Sequence, residues 1–364
     1  MKVLHIINSL TIGGAEVLLT NSLSKGGLQD HVENILVFFQ GESELVDKVD
    51  KRVTVINLGY KGWHSFGTLL MKLRKTIKIH KPDIIHTHLN PAGWYTVLAK
   101  PNNIPQIHTL HISYSDDTDT GKLRLFFEKK LHLQRKDANL ITLSELLKDD
   151  LKAAVNIKGN VFVLSNFIAD EFFEPNPETP PSDIFKMVAV GNMRPQKNYN
   201  YLLDIFQHLK DYPVSVDVYG YGDHTMYSER AAKENLKVKF MGPVKNPKDI
   251  YWKYNGFIMP SKFEGFGLTA YEAMASGLPL FLSDLGAFKS LIKDNAVYFS
   301  LTDAARAAET IKNTLENNSD VKDMVIKARQ YAEKTVKREA YIKNLLNIYE
   351  QVLEKGNETD SKTV

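Results

Sequence analysis

The chain has 364 residues, of which 43% are hydrophobic and 24% charged, and its formal net charge is +3. This is the composition of an ordinary globular protein of about two domains, and so small a charge does not predict a nucleic-acid partner. The absence of cysteine excludes disulfides, thiolate zinc sites, iron–sulfur clusters and thiol nucleophiles. No apolar run reaches the ~18 residues of a membrane span, and the first residues lack the features of a signal peptide, so we expect a cytoplasmic protein.

Short apolar runs alternate with amphipathic helical patterns through the first 170 residues. The predicted strands are Val3–Ile7, Val32–Phe39, Val53–Leu58, Pro82–His88, Ile104–His111, Asn139–Leu143 and Asn160–Leu164. The predicted helices are Ala15–Leu23, Phe66–Ile79, Lys122–Lys136 and Glu145–Ala154. This alternation is typical of a parallel sheet with crossover helices, and it predicts an N-terminal Rossmann-like domain over residues 1–170.

A proline-rich segment then interrupts the pattern. Four prolines between Glu174 and Pro181 disfavour both a helix and a central strand, so we predict a linker over residues 171–183. Beyond it the alternation restarts, with predicted strands at Phe185–Val190, Val214–Tyr219, Val238–Phe240, Gly256–Met259 and Leu278–Ser283. The predicted helices there are Tyr199–Lys210, Ser228–Asn235, Lys248–Lys253 and Leu268–Ala275.

The second half therefore predicts another Rossmann-like domain, over residues 184–340. From Ala304 to Lys355 the chain is predicted to be mostly helical, and we predict that a helix over residues 341–355 packs back on the N-terminal domain. A polar tail at 356–364 is predicted to be disordered. Two such α/β domains would face each other across a cleft between the carboxyl ends of their sheets, where ligands of these folds bind.

Two glycines, Gly13 and Gly14, separate the first strand from the first helix. Glycine lets a ligand approach the backbone closely, and a helix N-terminus directs its amides toward an anion. The loop lacks the Gly-x-Gly-x-x-Gly pattern, so it does not predict a dinucleotide site. A tight turn with no ligand explains the two glycines equally well.

Four histidines fall on two neighbouring predicted strands: His86, His88, His108 and His111. Alternate strand positions place two imidazoles on one face, an arrangement that metals use. No carboxylate lies at a matching spacing, so we favour packing or substrate hydrogen bonding and predict no metal site. His88 and His111 end their strands at the expected cleft, where they can hold a substrate hydroxyl.

Two cations follow the first strand of the second half. Arg194 and Lys197 come just after Gly191 and precede a predicted helix. A forked guanidinium and an ammonium together can neutralise a diphosphate. A solvated loop contains the same residue types, so this segment alone leaves both interpretations open.

The most specific pattern is a glycine loop between two carboxylates. Glu264 and Glu272 are eight residues apart, and between them Gly265-Phe266-Gly267 opens the helix that starts at Leu268. The first amides of that helix can bind a phosphate. Carboxylates beside a phosphate site are best explained by hydroxyls that donate to them, from a sugar on one side and a ribose on the other.

This Glu-x7-Glu segment resembles that of the retaining glycosyltransferases of family 4, which have the GT-B fold. Other segments similar to the family are Gly13–Glu16, Pro82–His88, Thr109–His111, Gly191–Asn198 and Phe240–Gly242. Two segments depart from its pattern, because Phe167 replaces the glycine expected after Ser165-Asn166 and Tyr219–Asp223 is altered around the usual Gly-x-Gly. The resemblance covers nearly the whole chain and implies two Rossmann-like domains facing across a cleft.

The resemblance implies transfer of a sugar from a nucleotide-diphosphate donor to an acceptor hydroxyl, with retention at the anomeric carbon. Its implied catalytic residues are Glu264, Arg194, Lys197 and His111. Its implied donor-binding residues are Gly13, Gly14, Gly191, Arg194, Lys197, Met241, Glu264, Gly265, Phe266, Gly267, Leu268 and Glu272. His88 and Glu16 are the candidates for the acceptor. No cofactor or metal is expected, since the two cations neutralise the diphosphate.

One segment bears on the acceptor. Gly121–Lys136 carries six cations and one acidic residue, interleaved with leucine and phenylalanine. Such a helix either lies on an anionic membrane or packs on the core with a solvated basic face. The first interpretation predicts a peripheral location on the inner face of the membrane and a lipid-linked or growing saccharide acceptor, as in bacterial cell-surface polysaccharide synthesis.

Two alternatives to a glycosyltransferase remain. They are a nucleotide-sugar epimerase of similar fold and a non-catalytic nucleotide-sugar-binding protein.

Overall fold

The computed structural model describes residues 1–41, 44–111, 122–175 and 182–360. The chain forms two compact units: unit 1 comprises Met1–Phe167 and Arg338–Val364, and unit 2 comprises Ile168–Lys337. Parts of the predicted basic segment (residue 121), linker (176–181) and tail (361–364) lie outside the described residues, as do the side chains of 122–124.

Unit 1 is built on a seven-stranded sheet in which every pairing is parallel. Its strands are β1 Lys2–Ile7, β2 Glu33–Phe38, β3 Thr54–Asn57, β4 Ile84–His88, β5 Gln106–Leu110, β6 Asn139–Thr142 and β7 Asn160–Val163. Its first helices are α1 Gly14–Ser22, α2 Phe66–His80, α3 Ala92–Ala99, α4 Lys122–Glu128 and α5 Glu145–Ala154. A π-helical turn, Lys129–Leu133, continues α4.

The spatial order β3-β2-β1-β4-β5-β6-β7 reverses direction between β1 and β4. The loops after these two strands therefore leave the sheet on opposite sides, which is where open parallel sheets bind ligands. Alternate residues of β1 pack into separate apolar clusters, Val3 and Ile7 on one face and Leu4 and Ile6 on the other. Both faces of the sheet are thus covered, as the alternating pattern predicts.

Unit 2 has a six-stranded parallel sheet in the order β10-β9-β8-β11-β12-β13. Its strands are β8 Phe185–Val190, β9 Val214–Tyr219, β10 Val238–Gly242, β11 Gly256–Met259, β12 Leu280–Ser283 and β13 Val297–Phe299. Its helices are α6 Tyr199–Gln207, α7 Thr225–Lys233, α8 Lys248–Tyr251, α9 Leu268–Ala275, α10 Gly286–Leu291, α11 Ala304–Glu316 and α12 Asn318–Thr335. The last helix, α13, spans Arg338–Asp360 and returns to unit 1, where Tyr341, Leu345 and Tyr349 join its core.

Three described elements are absent from the predicted set: α3, α10 and β13. Helix α3 is buried on most sides, at Ala92, Gly93, Trp94 and Tyr95 among others, so it lacks the polar stripe that identifies an amphipathic helix. The predicted disorder of the tail is wrong for residues 356–360, because they continue α13 as extra helical turns. The unit boundaries after Phe167 and Lys337 differ by only a few residues from the predicted 170 and 340.

Candidate functional site

The loops after β8 and β11 converge at the carboxyl edge of the unit 2 sheet, where the strand order reverses. The β8 loop begins at Gly191 and carries the two predicted cations. The β11 loop carries Glu264. The loops are joined directly, because the backbone amide of Lys262 donates to the carbonyl of Gln196 at 2.8 Å.

The central contact of this edge is an ion pair between Lys197 and Glu264. Lys197 Nζ lies 2.5 Å from Glu264 Oε1, and the two side chains are only 17% and 14% exposed. The hydroxyl of Ser261 donates to the same oxygen at 2.9 Å. No described residue donates a hydrogen bond to Glu264 Oε2. The structure therefore brings together two predicted site residues and leaves one carboxylate oxygen for another donor.

Gly191 makes room for this pair. A Cβ at Gly191 would lie 2.9 Å from Lys197 Cε and 3.1 Å from the Tyr199 hydroxyl. That hydroxyl donates to the Gly191 carbonyl at 2.6 Å, which fixes the start of the loop. Burial, and next the charge of Glu264, raise the pKa of Tyr199, so the phenol stays a neutral donor.

Helix α9 begins beside this pair, capped by Gly267. The φ angle of Gly267 is +80°, and a Cβ there would lie 2.7 Å from Phe288 Cε1. The cap has no side chain to accept from the first amides of the helix, so these remain available to an anion. Phe266, before the cap, is buried and stacks on Tyr271 with ring centroids 4.8 Å apart.

Glu272 lies on the second turn of α9 and is held by a buried tyrosine. The Tyr251 hydroxyl lies 3.3 Å from Glu272 Oε2 and donates to it, and it is also 3.3 Å from the Thr269 carbonyl. Burial raises the pKa of Tyr251 well above its ordinary value, and the Glu272 charge adds to this. The tyrosine therefore remains protonated and orients the carboxylate.

The other predicted residues of unit 2 lie at the same end of the sheet. The Arg194 side chain is exposed after β8, and no described residue pairs with its guanidinium. Met241 is 49% exposed at the point where the β9–β10 register shifts, between Phe240 and Gly242. Gly265 and Leu268 complete the loop and first turn of α9.

In unit 1, the predicted glycine loop caps α1. A Cβ at Gly13 would collide with the carboxylate of Glu16, so this glycine allows the acidic side chain to fold over the loop. Gly14 is the first residue of the helix, and Glu16 lies in its first turn. The roles of these residues remain predictions.

A row of histidines lies on one face of the unit 1 sheet: His5 within β1, His86 and His88 on β4, and His111 directly after β5. The ring of His86 lies 5.6 Å from that of His5 and 4.1 Å from that of His88, centroid to centroid. His88 Nδ1 is 3.4 Å from His111 Nε2, whereas His88 Nε2 is buried with no described hydrogen-bond partner. Burial lowers the pKa of His5 and of His111 to about 4, so these rings are neutral.

The fold brings a carboxylate beside His108 that no spacing along the two histidine strands indicates. On the opposite face of the unit 1 sheet, Glu128 Oε1 lies 2.8 Å from His132 Nδ1 and 3.8 Å from His108 Nε2. Glu128 and His132 are four residues apart on one helical face, a spacing that the sequence contains. His108 comes from a strand, and only the fold shows that it meets them.

Three supporting residues escaped the sequence analysis: Ser261, Tyr199 and Tyr251. Each orients a predicted site residue, but none belongs to a recognisable motif, and Tyr251 contacts Glu272 from another helix. No helix in the described part of the chain combines the length and the apolar content that a membrane crossing requires.

Two family models match consecutive parts of the chain. Residues 12–172 match the model described as Glycosyltransferase Family 4, and residues 170–331 match Glycosyl transferases group 1. The chain is 26% identical over 258 residues to the O-antigen chain mannosyltransferase RfbU of Salmonella typhimurium, covering 69% of this chain and 70% of that protein.

Solved structures give the same result for the fold. Sucrose-phosphate synthase from Thermosynechococcus elongatus superposes with a TM-score of 0.83 at 18% identity, covering 98% of this chain and 100% of that one. HepE of Anabaena, solved in complex with UDP and glucose, has a TM-score of 0.78 at 16% identity, over 96% and 99% of the two chains. The predicted family and fold class are confirmed: this chain belongs to the family 4 glycosyltransferases and has the GT-B fold.

Proposed function

We propose that the chain is a retaining hexosyltransferase that uses a nucleotide-diphosphate sugar and extends a growing or lipid-linked saccharide in bacterial cell-surface polysaccharide synthesis. The observation that carries this proposal is the Lys197–Glu264 pair beside the glycine-capped N-terminus of α9. A pyrophosphate requires positive charge and amide donors, and a sugar requires carboxylate acceptors. One edge of the unit 2 sheet supplies both.

In this proposal the donor diphosphate competes with Glu264 for Lys197. The ammonium, the exposed Arg194 and the first amides of α9 neutralise the charge that develops on the leaving phosphate, where fixed positive groups lower a barrier most. Glu264 then accepts from hydroxyls of the transferred sugar through its second oxygen. Glu272, oriented by Tyr251, accepts from the ribose.

Retention is proposed to follow a front-face route. The bond between C1 and the phosphate oxygen breaks, the acceptor oxygen bonds to C1 on the same face, and the departing phosphate takes the acceptor proton. A double displacement would instead need a carboxylate nucleophile on the opposite face. Glu264 already accepts from Lys197 and Ser261 through one oxygen, which suits hydroxyl binding better than attack on C1.

We also propose the substrate class, and two relatives support it. The O-antigen mannosyltransferase RfbU suggests a saccharide acceptor of the cell surface, and HepE suggests that uridine diphosphate sugars be tried first. In unit 1, we assign His111, Gly13 and Gly14 to the donor, and His88 and Glu16 to the acceptor. No metal is required by this scheme, because Arg194 and Lys197 neutralise the diphosphate.

The test is a panel of UDP-, GDP- and ADP-sugars, assayed for binding and for release of the nucleotide with and without saccharide acceptors. Lys197→Ala should lower kcat/KM by roughly 100-fold or more, the loss typical of a group that stabilises developing charge. Lys262→Ala is the matched control, because this neighbouring side chain is exposed. It should keep activity within about twofold, as surface changes usually do.

Two outcomes would refute the proposal. Near-full activity of Lys197→Ala would remove the phosphate site from the mechanism. An epimerised donor, formed without any acceptor, would identify an epimerase instead. NMR of the anomeric proton in the product tests retention separately.

A further inference from the structure

Glu128, the last residue of α4, is a carboxylate with no access to solvent. Its ion-pair partners are two histidines, His132 at 2.8 Å and His108 at 3.8 Å, and no Lys or Arg with a described side chain pairs with it. A buried carboxylate without a fully charged partner is costly, so a cation bound beside it would be stabilising.

One tautomer of His108 leaves the nitrogen nearer to Glu128 without a hydrogen. In this tautomer Thr87 donates its hydroxyl hydrogen to the Ile107 carbonyl at 3.1 Å and accepts from His108 Nδ1 at 2.9 Å. The lone pair of His108 Nε2 therefore faces Glu128, acceptor against acceptor.

His132 can change its tautomer, so that the ring hydrogen moves from Nδ1 to Nε2. In the absence of an ion its Nδ1 donates to Glu128. If Nδ1 binds a cation, the hydrogen moves to Nε2, which lies 3.4 Å from the amide nitrogen of Gln106. The Oε1 atom of that same amide is buried with no described partner, while its nitrogen donates to the Gly93 carbonyl at 2.9 Å. The amide would have to turn and give up that bond in order to accept this hydrogen.

The backbone leaves space for the cluster at Gly93, on α3. A Cβ there would lie 2.6 Å from His132 Nδ1 and 3.0 Å from Glu128 Oε1. Asn90, in the loop after β4, brings its side-chain amide to 2.9 and 3.1 Å from the two Glu128 oxygens. Turned one way the amide donates to the carboxylate, and turned the other way it offers its oxygen to a shared cation.

We propose that His108, Glu128 and His132 bind a divalent transition-metal ion, zinc by preference, with Asn90 as the fourth ligand. The three ligand atoms lie within 4.8 Å of one another. Tetrahedral zinc with bonds of about 2.05 Å separates its ligands by roughly 3.3 Å, which falls between the two observed separations. Imidazole and carboxylate ligands suit this ion.

The ion would be structural rather than catalytic. It would join β5, the junction of α4 with its π-helical turn, and the loop after β4, all within unit 1. The ligands leave no open position for water, which a catalytic zinc keeps. The donor site proposed above lies in unit 2, so this inference stands whether or not that proposal holds.

The experiment uses untagged full-length protein, since a histidine tag binds zinc itself. The protein is stripped with a chelator, reloaded with zinc alone and dialysed, and bound metal is measured by elemental analysis. We expect about one zinc per chain and a melting temperature that rises with free zinc. Cobalt(II) in place of zinc should give the visible absorption bands of a tetrahedral site.

Glu128→Gln and His132→Gln each remove a ligand, and they should weaken zinc binding at least ~10-fold. His64→Gln, which changes an exposed histidine, is the matched control and should bind zinc like the wild type. Zinc retained by both site variants would place the ion elsewhere and overturn the proposal. If the variants do not fold, the wild type decides: no stoichiometric zinc, no shift in melting temperature or no tetrahedral cobalt bands would also overturn it.

Discussion

At the scale of single residues, the unit 2 site depends on oppositely charged side chains that compensate each other. Lys197 and Glu264 are largely buried and pair with each other. Removing either partner leaves the other without compensation, which costs more than an exposed ion pair contributes. Activity assays of these variants therefore need a stability measurement beside them.

The proposed role of Glu272 can be tested more sharply, because its proposed partners are the two ribose hydroxyls of the donor. Glu272→Gln keeps an oxygen for Tyr251 and removes the charge. We expect donor KM to rise about 10-fold or more, the usual value of a hydrogen bond to a charged group. The donor's deoxyribose analogue should bind more weakly than the ribose form to the wild type, and about equally to the variant. An equal loss on deoxygenation in both proteins would contradict a ribose role.

Two features of the structure require glycine at position 267: the positive φ angle and the close approach of Phe288. Their effects on stability can be measured separately. Gly267→Ala should lower the free energy of unfolding by about 2 kcal/mol or more, because the φ of Gly267 is +80° and the added Cβ would crowd Phe288. Gly242→Ala has a φ of +76° but open space around it, so it measures the backbone cost alone. Gly286→Ala, in open space at the start of α10, should cost nothing. Urea unfolding of the three variants tests this, and equal stabilities would refute it.

At the scale of elements, α4 presents one aromatic ring to solvent and packs the next. Phe126 is 54% exposed, whereas Phe127 stacks on Trp94 with centroids 5.7 Å apart. The sequence left two interpretations of this segment open, and the structure shows features of both. One side faces the core, and the other side is exposed, apolar and basic. Membrane binding remains a proposal that this exposed side supports.

Vesicle sedimentation tests that proposal. Anionic vesicles should retain the protein at low salt and release it at high salt, because the attraction to a charged surface is screened. Phe126→Ser should weaken retention. Met226→Ser, which changes an exposed apolar side chain of α7 in unit 2, should not. Equal retention by neutral and anionic vesicles, or none by either, would argue against the basic helix as the contact.

At the scale of the whole molecule, the buried histidine row should make stability depend on pH. Burial lowers the pKa of His5 from 6.5 to about 4, and it also lowers the pKa of His86, which lies beside His5 and His88, well below its ordinary value. The unfolded chain binds more protons than the folded chain between these values. Stability is therefore complete above about pH 6.5 and falls as pH decreases, by about 1.4 kcal/mol per pH unit for each such histidine.

Urea unfolding between pH 5 and 7.5, with a chelator present, measures this slope. His5→Gln removes one titrating group, so its slope should be smaller than that of the wild type. His64→Gln, at an exposed position, should keep the wild-type slope. Stability that is constant over this range, or an unchanged slope in His5→Gln, would contradict neutral buried histidines.

Most strands and most helices were predictable from the sequence because each depends on neighbours in the chain. Strands such as Phe185–Val190 and Gly256–Met259 are apolar runs between turns, and the predicted bounds equal the observed ones. The glycine-capped start of α9 was equally visible. Helix α3 was not, since burial on most sides erases the polar stripe on which helix prediction depends.

By itself, the sequence determined the alternating α/β pattern, the glycine loops and the charged residue types beside them. These are local features, set by backbone sterics and by the periodicity of side-chain burial. Only the tertiary structure decided that Lys197 pairs with Glu264, 67 residues away, and that Glu128 meets His108 from another element. Such contacts depend on strand order and packing, which bring together groups that no spacing along the chain relates.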